Sequence, residues 1–429
     1  MAAQGAPGGS ALAARKHAPF GSRVPYAEPG WYQGQATAFY NESHVAFRAK
    51  VRAFVEKEMI PFVDAWEEEH ERTGKEMDAK ALCRKAAAAG VLAPNMPAEL
   101  GGTPLPGVAK FDHFHDLIWI DELARCGASG MIAGITIWTM ALPPILNFAS
   151  QQIKDLVVRP VLRGDKSISL CITEPYAGSD VASLRTSAVR EGDHFVVNGQ
   201  KKWISCGHWA DYFTVACRTG GKGAGGVSLL LVDATSPGIT VRRMKLQGNW
   251  LAGTSVVTFE DVRVPVANII GKENEGFKPL MLNLNHERFV IASQALRQAR
   301  LCIEDAIEFA SNRDVFGTKL IKQDIIRDKI AHMVKLTEAT QAMGESLAFQ
   351  MDNGIGAAVG GPMALYKVMA AECFELCARE ASQILGGASY TREGKGQRVE
   401  RLYREVRSYA IPGGSLEVLN LFAVKAAKL

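Results

Sequence analysis

The sequence predicts an α+β protein with helices first, strands in the middle and helices again to the end. Apolar residues recur at intervals of three and four from residue 44 to about 161, and again after residue 276, which is the helical period. Between these regions the period shortens to that of β-strands. Strand and helix do not alternate along the chain, as they do in a parallel nucleotide-binding sheet. We therefore expect sheet and helices in separate domains.

Residues 1–43 form an extension that we place outside the core. They are rich in Ala, Gly and Pro, and no acidic residue precedes Glu28. This composition is typical of a weak mitochondrial presequence or of a solvated or wrapped arm, of which we favour the arm.

The next two predicted domains are an N-terminal helical domain over 44–166 and a β-domain over 167–275. The helical period is clearest in Val45–Val63 and Ala79–Leu92. Short runs rich in β-branched and aromatic residues then predict an antiparallel sheet or small barrel. The clearest strands are Phe195–Val197, Tyr212–Cys217, Val227–Val232 and Ser255–Phe259.

Two glycine-containing segments of the β-domain predict loops. Asn198-Gly199 supplies the two positive-φ residues of a tight hairpin turn. Gly221–Gly226 satisfies the GxGxxG dinucleotide pattern, but that pattern holds a pyrophosphate only where a helix follows it. Here the strand Val227–Val232 follows. We interpret the segment as a hairpin loop, so any dinucleotide must bind without a Rossmann unit.

The C-terminal domain, 276–429, is predicted to be a four-helix bundle. A first helix over Phe277–Asn312 carries a stripe of small apolar residues, which indicates close packing. The stripe consists of Ala292, Ala295, Ala299, Ile303, Ala306 and Ala310. The later helical runs are Ile321–Met351, Pro362–Leu385 and Glu393–Tyr409.

Composition excludes several classes of protein. A net charge of +4 is too small to indicate a nucleic-acid partner. No apolar run reaches the roughly 18 residues of a membrane span, because Pro143 and Pro144 interrupt the longest one. The eight cysteines include no CxxC and have no histidines at ligand spacing. We expect reduced thiols in an intracellular compartment and no metal site.

The last three residues, Ala427-Lys428-Leu429, match a small-basic-leucine peroxisomal signal. We therefore expect a peroxisomal protein, with the mitochondrial matrix as the alternative.

Four segments resemble, in the right order, the signatures of the acyl-CoA dehydrogenase family. They are Ile172–Asp180 (ITEPYAGSD), Asn198–Ser205 (NGQKKWIS), Arg313–Gly317 (RDVFG) and Gln383–Gly387 (QILGG). Four ordered motifs match by chance far less often than one, and the resemblance covers roughly residues 45 to 425. It implies an acyl-CoA dehydrogenase-like fold, FAD as cofactor, an acyl-CoA substrate and a homotetramer. The electron acceptor would be electron-transferring flavoprotein or molecular oxygen.

The resemblance also implies where FAD binds. Ile172 and Thr173 would lie beside the flavin ring, with Trp203, Ile204 and Ser205 along its other edge. The two hydroxyls suit this place because they can donate to flavin N5 or O4. The residues implied at the diphosphate and adenosine of a neighbouring subunit are Arg313, Phe316, Gln323, Gln383 and Gly387. Ser415 and Glu417 occupy further positions that face FAD.

The usual catalytic carboxylate of the family is missing, since Gly413 stands where most relatives have Glu. In the isovaleryl-CoA and long-chain members the base lies on the long helix after the sheet, and Asn285–Arg288 (NHER) matches that segment. Glu287 is therefore the predicted base. Helical periodicity alone predicts a solvated glutamate there, opposite the alanine stripe.

The implied substrate contacts are Ser179, Asn283, Arg288, Gly413 and Gly414. The backbone N–H of Gly413 would still bind the enolate oxygen, and the missing side chain would widen the pocket for a branched or bulky acyl group. Gly413 also leaves two alternatives open. One is a flavin oxidase or monooxygenase that acts on a substrate without CoA, and the other is a non-catalytic binding protein on the same fold.

Overall fold

The computed structural model describes residues 14–355 and 359–428 and contains helices, then a sheet, then helices. This order confirms the predicted α+β class. The N-terminal helices are α1 (Glu42–Glu58), α2 (Val63–Thr73), α3 (Ala79–Ala88), α4 (His113–Ala124), α5 (Ser129–Thr136), α6 (Trp138–Ala141), α7 (Pro143–Phe148) and α8 (Gln151–Leu162).

The middle region is one mixed sheet of eight strands in the order β6-β7-β3-β2-β4-β5-β8, with β1 paired to β4. The strands are β1 (Ile168–Cys171), β2 (Ser187–Glu191), β3 (His194–Ile204), β4 (Tyr212–Arg218), β5 (Val227–Asp233), β6 (Ile239–Arg243), β7 (Ser255–Pro265) and β8 (Ile269–Ile270). The predicted antiparallel pairing is correct for most neighbours, but the pairs of β4 with β1 and with β2 are parallel. The GxGxxG segment joins the antiparallel β4 and β5 as a loop, as predicted.

The predicted hairpin turn at Asn198-Gly199 is wrong, because both residues lie inside β3. The turn before β3 is made instead at Gly192, whose φ is 62°. Gly199 sits where the register between β3 and β7 shifts, which is a β-bulge. A Cβ atom on Gly199 would lie 2.6–2.8 Å from atoms of Thr186. Glycine is required here for close approach within the sheet and not for a turn.

The C-terminal region contains α9 (Phe277–Leu282), α10 (Leu284–Asn312), a small hairpin of β9 (Asp314–Val315) and β10 (Thr318–Lys319), α11 (Asp324–Asp352), α12 (Gly360–Leu385), α13 (Gln397–Ala410) and α14 (Leu416–Ala426). The predicted helix Phe277–Asn312 is interrupted at Asn283, so α9 and α10 are separate helices. All residues of the alanine stripe are buried, and α10 packs against α12 along much of its length. Among the described helices none is alone long and apolar enough to cross a membrane, although the bent pair Ser129–Thr136 and Trp138–Phe148 passes the test jointly.

The N-terminal extension belongs to the core in its second half, contrary to the prediction. Trp31, Tyr32 and Tyr40 are buried, and Trp31 stacks on Tyr40 with ring centroids 4.1 Å apart. The guanidinium of Arg48 on α1 lies 4.4 Å from the centroid of Trp31 and 4.5 Å from that of Tyr32. Cation–π contacts and aromatic burial therefore attach the arm to the N-terminal helices.

Glu28 joins the arm to both helical domains. Its carboxylate lies 3.1 Å from Arg52 on α1, 2.8 Å from Arg125 after α4 and 2.8 Å from Arg297 on α10. Glu28 is 1% exposed. Burial raises the pKa of this carboxyl, but the guanidiniums of Arg297, Arg125 and Arg52 outweigh burial and hold the pKa at about 2.

Replacing Glu28 by Gln is expected to lower the thermal denaturation midpoint clearly, because three buried guanidiniums lose their shared counter-charge at a cost of about 3–5 kcal/mol. The matched control is Glu56→Gln, since the Glu56 carboxylate is 57% exposed and lies 4.0 Å from the same Arg52. That change should cost no more than about 0.5 kcal/mol. Because folding lowers the pKa of Glu28, the difference between wild type and Glu28→Gln should be complete above pH 4.5 and shrink as the pH falls towards 2. Equal midpoints at neutral pH would contradict this account of the arm.

Candidate active site

The two segments predicted to border a flavin lie side by side at one end of the sheet. Ile172 and Thr173 follow β1, and Trp203, Ile204 and Ser205 lie at the end of β3. The backbone N–H of Lys202 donates to the carbonyl of Thr173 at 2.8 Å. The structure thus brings both predicted segments together.

A buried ion pair, which the sequence analysis missed, supports these two segments. The Nζ atom of Lys201 donates to Glu174 Oε1 at 2.7 Å and to the carbonyl of Ile172 at 2.9 Å. The carboxylate of Glu174 also accepts the backbone N–H groups of Arg185 and Thr186 at 2.6 and 2.9 Å. Burial lowers the pKa of Lys201, whereas its ammonium outweighs burial at Glu174 and lowers the pKa of that carboxyl. The sequence feature that could have indicated this ion pair is a lysine at an inward-facing position of a strand.

The backbone beyond this pair holds Trp203 in an unusual position. Its φ is 60°, a left-handed conformation that costs energy in a bulky residue, and its side chain is 48% exposed. An aromatic ring is thus presented at the surface beside the hydroxyl-bearing Ser205.

Glu287 lies in the first turn of α10 and is only 7% exposed. The solvated position that periodicity predicts is therefore wrong. The Nδ2 atom of Asn283 donates to Glu287 Oε1 at 3.0 Å and to the carbonyl of Thr139 on α6 at 2.9 Å. Burial raises the pKa of Glu287 to about 6. A carboxyl with this pKa is mostly ionised at neutral pH and basic enough to accept a proton.

Helix α6 lies between the sheet and Asn283, the hydrogen-bond partner of Glu287. It packs against β1, the strand that ends just before Ile172 and Thr173. The hydroxyl of Thr214 on β4 donates to the carbonyl of Ala141 at 2.9 Å. Through Asn283 and α6, Glu287 is thus linked to the strand that precedes Ile172 and Thr173.

The loop between α13 and α14 contacts the residue that follows Glu287. The Nε atom of the next residue, Arg288, donates to the carbonyl of Gly413 at 3.0 Å. Gly413 and Gly414 have φ values of 71° and 107°. Among the described residues, neither of their N–H groups has a hydrogen-bond acceptor. Asn283, Glu287, Arg288, Gly413 and Gly414, predicted from separate parts of the sequence, thus form one group.

The space beside Gly413 is smaller than the missing side chain suggests. A Cβ atom on Gly413 would lie 3.0 Å from the Cδ1 atom of Ile291. A glutamate would be strained there by both this contact and the positive φ. Ile291 therefore occupies part of the volume that the sequence analysis expected to be open for substrate.

His286 connects the same turn of α10 to α4. Its Nε2 atom lies 2.8 Å from Asp116 Oδ2. Burial lowers the pKa of His286, but Asp116 outweighs burial and raises it. Three consecutive residues are thus linked to three different elements. His286 contacts α4, Glu287 is linked to α6 through Asn283, and Arg288 contacts the Gly413 loop.

Arg313 and Phe316, two of the remaining predicted FAD contacts, lie far along the same chain from this group. Arg313, which follows α10, is 26 residues after Glu287, or roughly 39 Å along a helix at 1.5 Å per residue. Phe316 is 98% exposed in the β9–β10 hairpin. Gln323 precedes α11, Gln383 lies at the end of α12 and Gly387 just after it, and all three are partly or fully exposed. Ser415 and Glu417 lie at the start of α14, directly after Gly414 and therefore next to the group. The predicted substrate contact Ser179 is exposed after β1.

One cluster has the composition of a metal site. Ligand atoms of His44, Asp112 and His115 all lie within 4.8 Å of one another. The backbone N–H of Asn41 donates to Nδ1 of His44, which places the ring proton on Nε2, facing Asp112 at 3.0 Å. A metal would need the lone pair of that nitrogen. The cluster instead caps two helices, since His44 accepts the backbone N–H of Asn41 at the start of α1 and the Asp112 carboxylate accepts the backbone N–H of His115 at the start of α4.

Comparison with known proteins assigns the chain to a family. Residues 41–165, 169–262 and 274–427 match the N-terminal, middle and C-terminal domains of acyl-CoA dehydrogenase. The chain belongs to the acyl-CoA dehydrogenase family. It is therefore an oxidoreductase acting on CH–CH donors, in a family of flavoproteins that dehydrogenate acyl-CoA.

Relatives of this acyl-CoA dehydrogenase include acyl-CoA dehydrogenase AFT10-1 of Alternaria alternata, 40% identical over 94% of this chain and 96% of that protein. The mitochondrial isobutyryl-CoA dehydrogenase of Bos taurus is 32% identical over 89% of this chain and 88% of that protein. Butyryl-CoA dehydrogenase from Megasphaera elsdenii superposes with a TM-score of 0.81 at 26% identity, over 91% of this chain and 99% of that one.

Asn283→Ala is expected to raise the pKa of Glu287, because the amide of Asn283 donates to the ionised carboxyl. Any step that needs ionised Glu287 should then require a pH higher by about one unit, the effect of one charge-assisted hydrogen bond. Flavin bleaching by acyl-CoA, followed from pH 5 to 8, would measure this. Asn312→Ala, at the exposed far end of α10, is the matched control, and a profile unchanged by Asn283→Ala would contradict the assignment.

Proposed function

We propose that this protein dehydrogenates an acyl-CoA thioester between its α and β carbons, with Glu287 as the base and FAD as the hydride acceptor. The observation that carries the proposal is a buried carboxyl with a raised pKa, hydrogen-bonded to Asn283 and followed directly by Arg288, which binds the Gly413 loop. The α-proton of a thioester is weakly acidic, so its removal requires a base shielded from water.

The residues at the end of the sheet fit a flavin. The hydroxyls of Thr173 and Ser205 and the exposed ring of Trp203 are partly accessible, and the buried Lys201–Glu174 pair fixes the backbone between them. Hydroxyl donors and an aromatic surface suit an isoalloxazine ring. When bound, FAD takes up the hydride that leaves the β-carbon.

Proton removal follows from the arrangement around α10. Ionised Glu287 takes the α-proton from the substrate, and the bond electrons move towards the thioester carbonyl. The free N–H of Gly413 is the donor for the oxygen on which that charge develops. Asn283 orients the carboxyl through one oxygen, which leaves the other oxygen for the proton.

For the substrate we propose a branched or bulky acyl chain. Two features support it. The base lies on α10 and not in the loop, and position 413 has no side chain, although Ile291 limits the gain in volume. One relative is an isobutyryl-CoA dehydrogenase, whereas another is a short-chain specific acyl-CoA dehydrogenase. Titration with isobutyryl-, isovaleryl-, butyryl- and octanoyl-CoA tests this, and bleaching by the straight chains alone would reject it.

The two alternatives from the sequence have less support. An oxidase or monooxygenase acting without CoA is not favoured by the family assignment, and a non-catalytic protein would have no use for a buried carboxyl beside an open N–H group. Bleaching of the flavin by an acyl-CoA, but not by the free acid, separates these alternatives from the proposal.

We further propose a homotetramer in which a neighbouring subunit completes the FAD site. The distance of Arg313 from Glu287 along α10 and the full exposure of Phe316 support this. The outer face of α14 exposes Val418, Leu421, Phe422 and Val424, an apolar patch that suits a subunit contact. Light scattering should give four chains per particle. Arg313→Ala should lose FAD without loss of secondary structure.

For localisation we propose the peroxisome, on the basis of Ala427-Lys428-Leu429, of which Leu429 lies outside the described residues. The acceptor is then oxygen, whereas a protein of the mitochondrial matrix would use electron-transferring flavoprotein. Fluorescence of a fusion with and without the tripeptide tests the first part. Release of hydrogen peroxide during turnover separates the two acceptors.

Glu287→Gln is expected to slow flavin bleaching by acyl-CoA at least ~100-fold, because general base catalysis contributes roughly 10²–10⁴. Binding of CoA thioesters should persist, since glutamine keeps the shape and the acceptor for Asn283. In wild type the rate of flavin bleaching should fall about tenfold for each pH unit below the Glu287 pKa of about 6. This pH dependence should be absent in Glu287→Gln.

Glu308→Gln, on the exposed face of the same helix, is the matched control and should bleach at the wild-type rate. Undiminished bleaching by Glu287→Gln would assign the base to another residue.

A further inference from the structure

Lys367 on α12 is fully buried beside the active-site loop. Its Nζ atom donates to the carbonyl of Ala410 at 2.7 Å and to the carbonyl of Gly414 at 2.9 Å. Ala410 is the last residue of α13, and Gly414 is the second of the two glycines before α14. One ammonium group thus joins both ends of the loop that contains Gly413.

This ammonium is unusual because no carboxylate in the described part of the chain forms a salt bridge with it, and the charge of the exposed Glu417 opposes the lowering of its pKa only in part. Among the described residues none of the acidic side chains lies within 4.0 Å of Lys367 Nζ, and both hydrogen bonds go to backbone carbonyls. Burial, with a contribution from nearby Arg288, lowers the pKa of Lys367 to about 8. A buried lysine without a counter-ion costs stability, whereas methionine could fill the same space at less cost.

The loop is held from two sides. Lys367 binds the carbonyl of Gly414 from α12, and Arg288 binds the carbonyl of Gly413 from α10. Two consecutive carbonyls are therefore fixed by cations from separate helices. Since both glycines have positive φ and little restraint of their own, these contacts determine where the N–H of Gly413 points.

We propose that Lys367 is a positioning residue for the dehydrogenation, which holds the loop so that the N–H of Gly413 meets the thioester oxygen. The inference rests on the proposed function and adds a residue that contacts neither substrate nor flavin. The charge of Lys367 also promotes the reaction directly, because a positive charge behind the loop stabilises the enolate more than the neutral thioester.

A purely structural role predicts something different. If Lys367 only caps α13, its loss lowers stability and leaves the bound oxyanion unaffected. The two roles are distinguished by a ligand that reports oxyanion stabilisation without turnover. Acetoacetyl-CoA is suitable, because its enolate absorbs in the near ultraviolet and its ionisation on the enzyme depends on the donors at the carbonyl oxygen.

The experiment compares purified FAD-containing wild type with Lys367→Met and Lys367→Gln. Lys367→Met should lower the ratio of bound enolate to neutral acetoacetyl-CoA about tenfold at fixed pH, the effect of one lost charge-assisted contact. Turnover kcat should fall by a similar factor with KM within about twofold, since the effect is confined to the charged transition state. Lys367→Gln, which keeps an N–H donor, should recover part of both. Lys329→Met, a partly exposed lysine paired with Glu380, should match wild type.

An enolate ratio within twofold of wild type in a folded, FAD-containing Lys367→Met protein would overturn the inference. If Lys367→Met does not retain FAD, an enolate ratio within twofold of wild type in Lys367→Gln would overturn the inference. A wild-type protein that neither ionises acetoacetyl-CoA nor bleaches with acyl-CoA would instead reject the proposed function.

Discussion

The active site depends on one constraint, the burial of an ionisable carboxyl at the first turn of α10. A carboxylate removed from water must receive hydrogen bonds or take up a proton, and Glu287 receives one bond, from Asn283. Asn283 can donate because it lies at the break between α9 and α10 and also reaches the carbonyl of Thr139. The break in the helix, the position of α6 and the raised pKa of Glu287 are therefore parts of one arrangement.

The order of domains and the predicted base followed from the sequence, the first from periodicity and the second from a resemblance. Periodicity alone placed Glu287 in water, because it describes one helix and cannot include the neighbouring elements that bury this side chain. The misplaced turn at Gly199 has a similar cause, since a glycine serves a turn and a close approach equally well and only the contact with Thr186 distinguishes them. The parallel pairs of β4 depend on which strands meet, and no local pattern encodes that.

The buried lysines were missed for a physical reason. Lys201 and Lys367 lie among apolar neighbours in a strand and in a helix, and a lysine in such a pattern usually reaches solvent along its flexible stem. Their partners, Glu174 and the carbonyls of Ala410 and Gly414, are far away in sequence. Only the folded chain shows that both ammonium groups support backbone segments next to the proposed reaction centre.

The attachment of the arm has a consequence for how the molecule is made. Glu28 leaves the ribosome early, whereas Arg297, one of its three guanidinium partners, follows 269 residues later. Until α10 is synthesised, the arm and the early helices carry Glu28, Asp121 and Glu122 without the guanidinium of Arg297, which forms ion pairs with Glu28 and Asp121 in the folded chain. The N-terminal region therefore reaches its final charge balance only when α10 docks on it, which couples its maturation to synthesis of the C-terminal domain.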